Sequence, residues 1–394
     1  MSRSYDVVIV GGGAMGSSTA YFLAANPDFA GSVLVVERDP TYDSSATSRS
    51  MGGIRQQFST PENIQMSMFG AAFARKAAEL LAVDGQSADV SFREQGYLFT
   101  ATPEGAVTLK QNYDRQRCLG AEVTYLEGEA LNRRFPWLNS EDLGAAVFGH
   151  ANEGWVDPNT LLQGFRHKAQ SLGVGFVRDE VVGFLRDGKR LAGVVLTEGG
   201  ETGAGVVVNA AGSRAGALCR QLGIELPVWP RKRYVYVFDC REDLLSAPLT
   251  IDPSGVTFRP EGKYYLGTVS PPEDEDENSD PDDFEIDYRT FDEVIWPRLA
   301  HRVPAFEAIK LVNAWAGHYD YNLFDQNAIL GRHPDIEGLI FCNGFSGHGL
   351  QQSPAAGRAV AELIVHGTYR SIDLRRFAFE RLSAGRPIRE ANVW

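Results

Sequence analysis

The sequence predicts an α/β fold with a Rossmann-like parallel sheet, joined to a second part built on an antiparallel sheet. Three observations predict it. A buried strand, a glycine loop and a helix follow one another at the N-terminus. The same pattern returns near the C-terminus, in "LIFCNGFSGHGLQQSPAAGRAVAELI" (339–364). Between them, "KRYVYVFDC" and "KYYLGTVS" alternate and carry β-branched and aromatic residues, as half-buried strands do.

The N-terminal element is "YDVVIVGGGAMGSSTAYFLAAN". Tyr5 to Val10 is read as a buried apolar run, expected of a central parallel strand. Gly11, Gly13 and Gly16 match G-x-G-x-x-G, and Ser17 to Ala25 continue as a helix. Gly11 permits the tight turn, Gly13 lets backbone approach a pyrophosphate, and Gly16 allows close helix–strand packing. Ala14 and Met15 lie within the loop, where the helix N-terminus faces the phosphates. A second strand, "SVLVVER", ends at Glu37, where an acidic side chain accepts ribose hydroxyls and a 2′-phosphate would be repelled. Arg38 beside it either touches the adenosine or faces solvent.

One such fingerprint is present, and no second strand–GxGxxG–helix unit follows mid-chain. "GVVVNAAGSRAGALCRQLG" (205–223) instead ends a buried strand in small residues. Ala211 and Gly212 there leave room for a cofactor to pass close by. The C-terminal loop, with Gly344, Gly347, His348, Gly349, Leu350 and Gln351, would present N–H groups and a helix dipole to the pyrimidine edge of a flavin. The dinucleotide is therefore read as FAD, whose flavin lies far from its pyrophosphate. Pro354 is expected within the first turn of the following helix.

The chain has 394 residues, of which 43% are hydrophobic, enough for one large or two ordinary domains. A net charge of −13 argues against a nucleic-acid-binding surface. The four cysteines lie far apart with no C-x-x-C pair, so no metal site or disulfide framework is expected. No targeting segment precedes the first strand, and no apolar run approaches the ~20 residues that span a bilayer. The expectation is a cytoplasmic protein without a transmembrane segment.

"VIVGGGAMGSSTAYFLA", "VVNAAG" and the terminal "GFSGHG" together resemble the D-amino acid oxidase/sarcosine oxidase (DAO) family of FAD-dependent oxidoreductases. "GGIRQQFSTPENIQ", "GWVDPNTLLQGF", "PRKRYVYVF", "WAGHYDYNLFDQN" and "GFSGHGLQQSPAAGRAVAE" narrow the resemblance to its FAD-dependent oxidoreductase domain-containing subfamily. The resemblance implies two interleaved parts. An FAD-binding domain would comprise 1–80, 148–218 and 312–394, and a substrate domain 81–147 and 219–311. The acidic "PPEDEDENSDPDD" (271–283) is expected to be a solvated excursion, with docking of a partner as the alternative.

The implied reaction removes a hydride from the carbon beside an amine, and water hydrolyses the imine. The substrate would be a secondary amine or N-substituted amino acid, and the acceptor oxygen or an electron carrier. The alternative is a flavoprotein that mainly binds or assembles another protein. Thr47 and Ser48 would lie along the flavin. Arg55 matches the carboxylate-binding arginine of sarcosine oxidases, and Gln351 stands where those enzymes place a lysine. Gly317 stands at their covalent cysteine, so FAD is expected to be held non-covalently. Tyr265, with Lys263 two residues earlier, aligns with their oxygen-activating lysine. His348 would orient the flavin loop or transfer a proton. Tyr319, Tyr321, Tyr234 and Tyr236 are candidates for the pocket wall.

Overall fold

The computed structural model describes residues 4–391. Its first sheet is built on β1 (Ser4–Val10), β2 (Val33–Glu37), β8 (Gly175–Arg178), β11 (Gly200–Asn209), β17 (Ile329–Arg332) and β18 (Leu339–Asn343). Their order is β17-β18-β11-β1-β2-β8. β18, β11, β1, β2 and β8 run parallel, and β17 runs against β18. Val7–Val10 and Val33–Val36 are buried without alternation, because both faces of the sheet are covered. A hairpin, β9 (Val181–Asp187) and β10 (Arg190–Leu196), hangs from β11.

The register explains why a glycine loop comes so late in the chain. Val10 lies level with Asn209, and Asn209 with Phe341, so β1, β11 and β18 end together. The loops that follow all open on one edge, where doubly wound sheets bind ligands. Helices α1 (Ala14–Ala24), α2 (Pro61–Leu80), Pro158–Ser171 and Gly349–His366 bury the main core against one face. Small residues let them approach. A Cβ on Gly357 would sit 2.3 Å from Ser18 Oγ, and one on Gly70 2.0 Å from the Gln351 carbonyl. The last of these helices already begins at Gly349, so Pro354 sits inside it rather than in its first turn. Pro354 has no N–H for the Leu350 carbonyl, which accepts the Ser353 hydroxyl at 2.8 Å instead.

The second sheet holds β4 (Tyr97–Ala101), β5 (Val123–Leu126), β6 (Ala145–Gly149), β12 (Val228–Cys240), β13 (Leu249–Ile251), β14 (Val256–Glu261), β15 (Tyr264–Val269) and β16 (Ile309–Asn322). Its order is β16-β12-β15-β14-β13-β4-β6-β5, antiparallel except where β13 meets β4. A two-stranded ribbon, β3 (Gly53–Ile54) with β7 (Gly154–Trp155), stands between the sheets. The expected boundaries at 148 and 312 fall inside β6 and β16. β16 pairs with β12 from Ile309 to Asn322, so 312–322 sit with the second sheet and not with the parallel one. No helix among the described residues is long and apolar enough to cross a membrane.

Candidate functional site

A cavity of about 1010 Å³ runs from the ends of β1, β2 and β11 to the face of the second sheet. Gly11, Gly13, Ala14, Met15, Glu37, Arg38 and Thr47 line one stretch of it, and Ala211 and Gly212 line its middle. Arg55, Tyr319, Gly347, His348, Gly349, Leu350 and Gln351 line the rest. Gly16, Ser48 and Gly344 do not line it. Gly16 and Gly344 shape the backbone behind it, and Ser48 bonds Ser45 within its own turn.

The first loop is fixed by backbone contacts. Gly11 has φ +94°, and a Cβ there would lie 2.5 Å from the Ala210 carbonyl. A Cβ on Gly16 would lie 1.8 Å from the Gly11 carbonyl. Gly13 differs, because only Thr47 Oγ1, at 3.7 Å, would meet its Cβ. The space in front of Gly13 is cavity. At the opening of α1 Thr47 Oγ1 accepts the Ala14 N–H at 3.2 Å, and no first-turn acid offsets the helix's positive end. Glu37 accepts the Gly12 and Asp39 N–H groups, each at 2.8 Å, and burial pushes its carboxyl above the usual range.

The C-terminal loop is held by side chains from elsewhere. Asp320 Oδ2 accepts the N–H of Gly344 at 2.8 Å and of Phe345 at 3.1 Å. Burial pushes this carboxyl up to about 6. Ser346 and Gly347 take positive φ, and a Cβ on Gly347 would strike the Tyr319 ring at 2.5 Å. The helix that follows opens without a side-chain cap, and it too lacks a first-turn acid. Two helix N-termini without a first-turn acid therefore border one cavity.

Arg55 is buried, with 8% of its surface exposed. Its N–H donates to Gln351 Oε1 at 2.7 Å, and its Nη2 lies 3.1 Å from His348 Nε2. The guanidinium stacks on Phe58 and Phe99, at 4.5 and 4.9 Å. No carboxylate pairs with it among the described residues. The salt bridge that ordinarily accounts for a buried arginine is thus missing. Tyr97 and Arg55 both line the cavity, and Gly53 of β3 leaves the Tyr97 ring room, since a Cβ there would come within 3.5 Å of it.

Two expected catalytic residues lie elsewhere. Tyr265 is 1% exposed, packs on Phe238 and Phe306, and takes the Leu244 N–H on its hydroxyl at 2.8 Å. Lys263 is exposed, with its Nζ over Tyr264. The cause is strand parity: Leu266 packs with Met51 and Val235 on the cavity side, so Tyr265 points behind the sheet. Tyr234 and Tyr236 likewise belong to the core behind β12, while Arg233 and Val235 face the cavity. Tyr319 and Tyr321 line it as expected. No lysine lines the cavity among the described residues.

The acidic segment is exposed over most of its length, as expected of a solvated excursion, but three of its carboxylates are tied down. Asp276 takes Arg233 through two bonds, 2.7 and 2.6 Å, with Arg231 at 3.7 Å. Asp283 takes Lys232 at 2.5 Å, and Asp282 pairs with Arg214 and, at 3.4 Å, with Arg38. The segment is a strap that ties β12 to the ends of β2 and β11, and part of it lines the cavity. Arg38 therefore has an ion-pair partner as well as a place in the wall. Asp320 and Asp276 carry no local sequence signal; their partners are more than twenty residues away.

A family profile described as FAD dependent oxidoreductase (DAO) matches residues 6–363. The chain belongs to this family. FAD-dependent oxidoreductase domain-containing protein 1 of Bos taurus is 46% identical, over 98% of this chain and 86% of its own length. The crystal structure of L-proline dehydrogenase from P. horikoshii is similar with a TM-score of 0.85 and 25% identity, covering 98% of this chain and 100% of its own. Glycine oxidase from Geobacillus kaustophilus is similar with a TM-score of 0.80 and 26% identity, covering 95% and 98%. The protein is an FAD-dependent oxidoreductase of mixed α/β fold.

The cavity fits that cofactor. Gly13 and the open end of α1 would hold the pyrophosphate, and Glu37 the adenosine ribose. The Gly347–Gln351 turn would take the pyrimidine end of the flavin. No cysteine lines the cavity among the described residues. A Cβ at Gly317, where a thioether would start, would press on Arg49 Cβ at 3.0 Å. The residues present suit FAD held without a covalent bond. No cluster of three metal-ligating side chains occurs among the described residues.

Proposed function

We propose that the protein oxidises the C–N bond of a secondary amine or N-substituted amino acid. The observation that carries this reading is Arg55: a buried guanidinium without a protein carboxylate, opening on the cavity beside the flavin-side loop. A planar fork of N–H donors suits a substrate carboxylate. Bound FAD supplies a two-electron acceptor for the hydride leaving the carbon next to nitrogen.

This chain's residues do the rest. Arg55 holds the carboxylate and so fixes which carbon faces the flavin end. Val235, Leu249 and Ile251 form an apolar wall that keeps the site dry. Asp276 in the cavity wall is paired with Arg233, so it is not free to hold the amine as a cation. The amine reacts in its neutral form, and water hydrolyses the imine after release. The absence of a lysine from the wall favours an electron carrier over oxygen as acceptor.

The test is an anaerobic visible spectrum with a panel of N-substituted amino acids. Bleaching of the flavin bands by one compound names the substrate class. Bands that no member bleaches, in protein of full flavin content, overturn the reading.

A further inference from the structure

The turn that would meet the flavin is also the turn that grips Arg55. Gln351, in the first turn of the helix, fixes the arginine's backbone at 2.7 Å. His348, one residue before that helix, meets its guanidinium at 3.1 Å. The imidazole is itself braced edge-on by Phe58, with centroids 5.0 Å apart. The same Phe58 ring carries the guanidinium on its face. A short closed set of contacts thus joins the segment after β3 to the loop after β18.

The chemistry of the pair assigns the tautomer. A guanidinium has donors only, so Nε2 is the acceptor and the proton sits on Nδ1. Burial, and then Arg55, push the imidazole down to about 3, so the ring is neutral at physiological pH. A ring whose Nε2 is occupied by a cation has no proton to exchange with a substrate there. This leaves Nε2 no part in the proton transfer considered from the sequence.

We propose that His348 and Gln351 are positioning residues, which hold Arg55 so that an anionic substrate group is placed in register with the flavin turn. The proposal rests on the reading of Arg55 as the carboxylate-binding group. Its consequence is coupling: the loop that shapes the flavin end also sets the affinity for the substrate's carboxylate. Gly347 and Ser346 serve this by turning the chain so that residues 348 and 351 both face Arg55.

The other titratable groups around the pair are Tyr97, Glu153 and Tyr319, with Asp320 of β16 holding the start of the loop. Burial holds the Tyr97 hydroxyl up at about 12 and Glu153 up at about 7. Glu153 therefore titrates near neutrality, and Glu153→Gln serves as the control for any pH effect.

Two measurements on the flavin-loaded protein test the proposal. In the first, benzoate is titrated and the flavin difference spectrum gives its Kd. His348→Phe should raise Kd at least tenfold, His348→Gln should recover part of the loss through its amide oxygen, and Arg55→Met should abolish binding. In the second, ¹⁵N NMR of the ring nitrogens should show His348 as the Nδ1–H tautomer, neutral from pH 8 to pH 5. Arg55→Met should lift its pKa only part of the way, since burial, the larger cause, remains. If wild type ignores benzoate but the NMR signature holds, the carboxylate reading of Arg55 fails and the grip of His348 on Arg55 stands. An imidazole that titrates near 6.5 in wild type, or His348→Phe binding benzoate as wild type does, overturns the proposal.

Discussion

The two glycine loops look alike in sequence and are built by different means. The loop after β1 is shaped mainly by close backbone approach, its own and that of Ala210, with Glu37 taking the Gly12 N–H. Gly16 must be glycine because the Gly11 carbonyl lies 1.8 Å from where a Cβ would stand. The loop after β18 is shaped by side chains from Arg55, Tyr319 and Asp320. The first is a rigid local motif. The second is assembled only when the two sheets come together. A family can keep the first unchanged and alter its chemistry through the second.

That contrast can be broken most sharply by glycine substitution. Gly16→Val should yield protein without flavin and with stability reduced by about 3 kcal/mol or more, since backbone rather than a flexible side chain stands in the way. Gly349→Ala meets only Met15 Cε at 3.2 Å and Phe345 Cβ at 3.3 Å, so it should keep its flavin. Flavin content per chain and a thermal melt check both. Equal loss in the two variants would erase the distinction.

Next in size is Asp320→Ala. It strands the N–H groups of Gly344 and Phe345, each bond to a charged acceptor being worth about 1.5–3 kcal/mol. FAD affinity should fall by roughly tenfold to a hundredfold, measured by fluorescence as the cofactor is released. Asp320→Asn, which keeps one acceptor oxygen, should lose less.

The strap gives the smallest effect. Asp282 is 63% exposed, and exposed ion pairs contribute only about 0–1 kcal/mol. Asp282→Asn should speed FAD release by about fivefold or less, and raised salt should mimic it in wild type but not add to it in the variant. Asp276→Asn, at a pair whose carboxylate side chain is 7% exposed, should exceed it.

What could be read from the sequence follows the same line. Gly11, Gly13 and Glu37 were legible because strand, loop and second strand lie within forty residues, and their geometry follows from local backbone rules. Arg55, Tyr319 and Gln351 were placed at the pocket by resemblance, and all three line it. Their mutual contacts were not legible, since Arg55 and Gln351 are 296 positions apart. Tyr265 and Lys263 failed for a physical reason: one step of register on a strand exchanges the faces, and β15 turns Leu266 rather than Tyr265 toward the cavity side. The strap is solvent-exposed over most of its length, as a run of acids suggests, but its ion pairs were not legible. Its basic partners, Arg38, Arg214 and Arg231 to Arg233, are scattered over two sheets and converge only in the fold.

The most direct measurement is anaerobic flavin reduction by the best N-substituted amino acid, in wild type and Arg55→Met side by side at equal flavin content. The account predicts that wild type bleaches and that the variant keeps its yellow colour while bleaching at least a hundredfold more slowly at the same substrate concentration. Equal bleaching rates in the two proteins would contradict the assignment of Arg55, and with it the claim that the late glycine loop serves substrate as well as flavin.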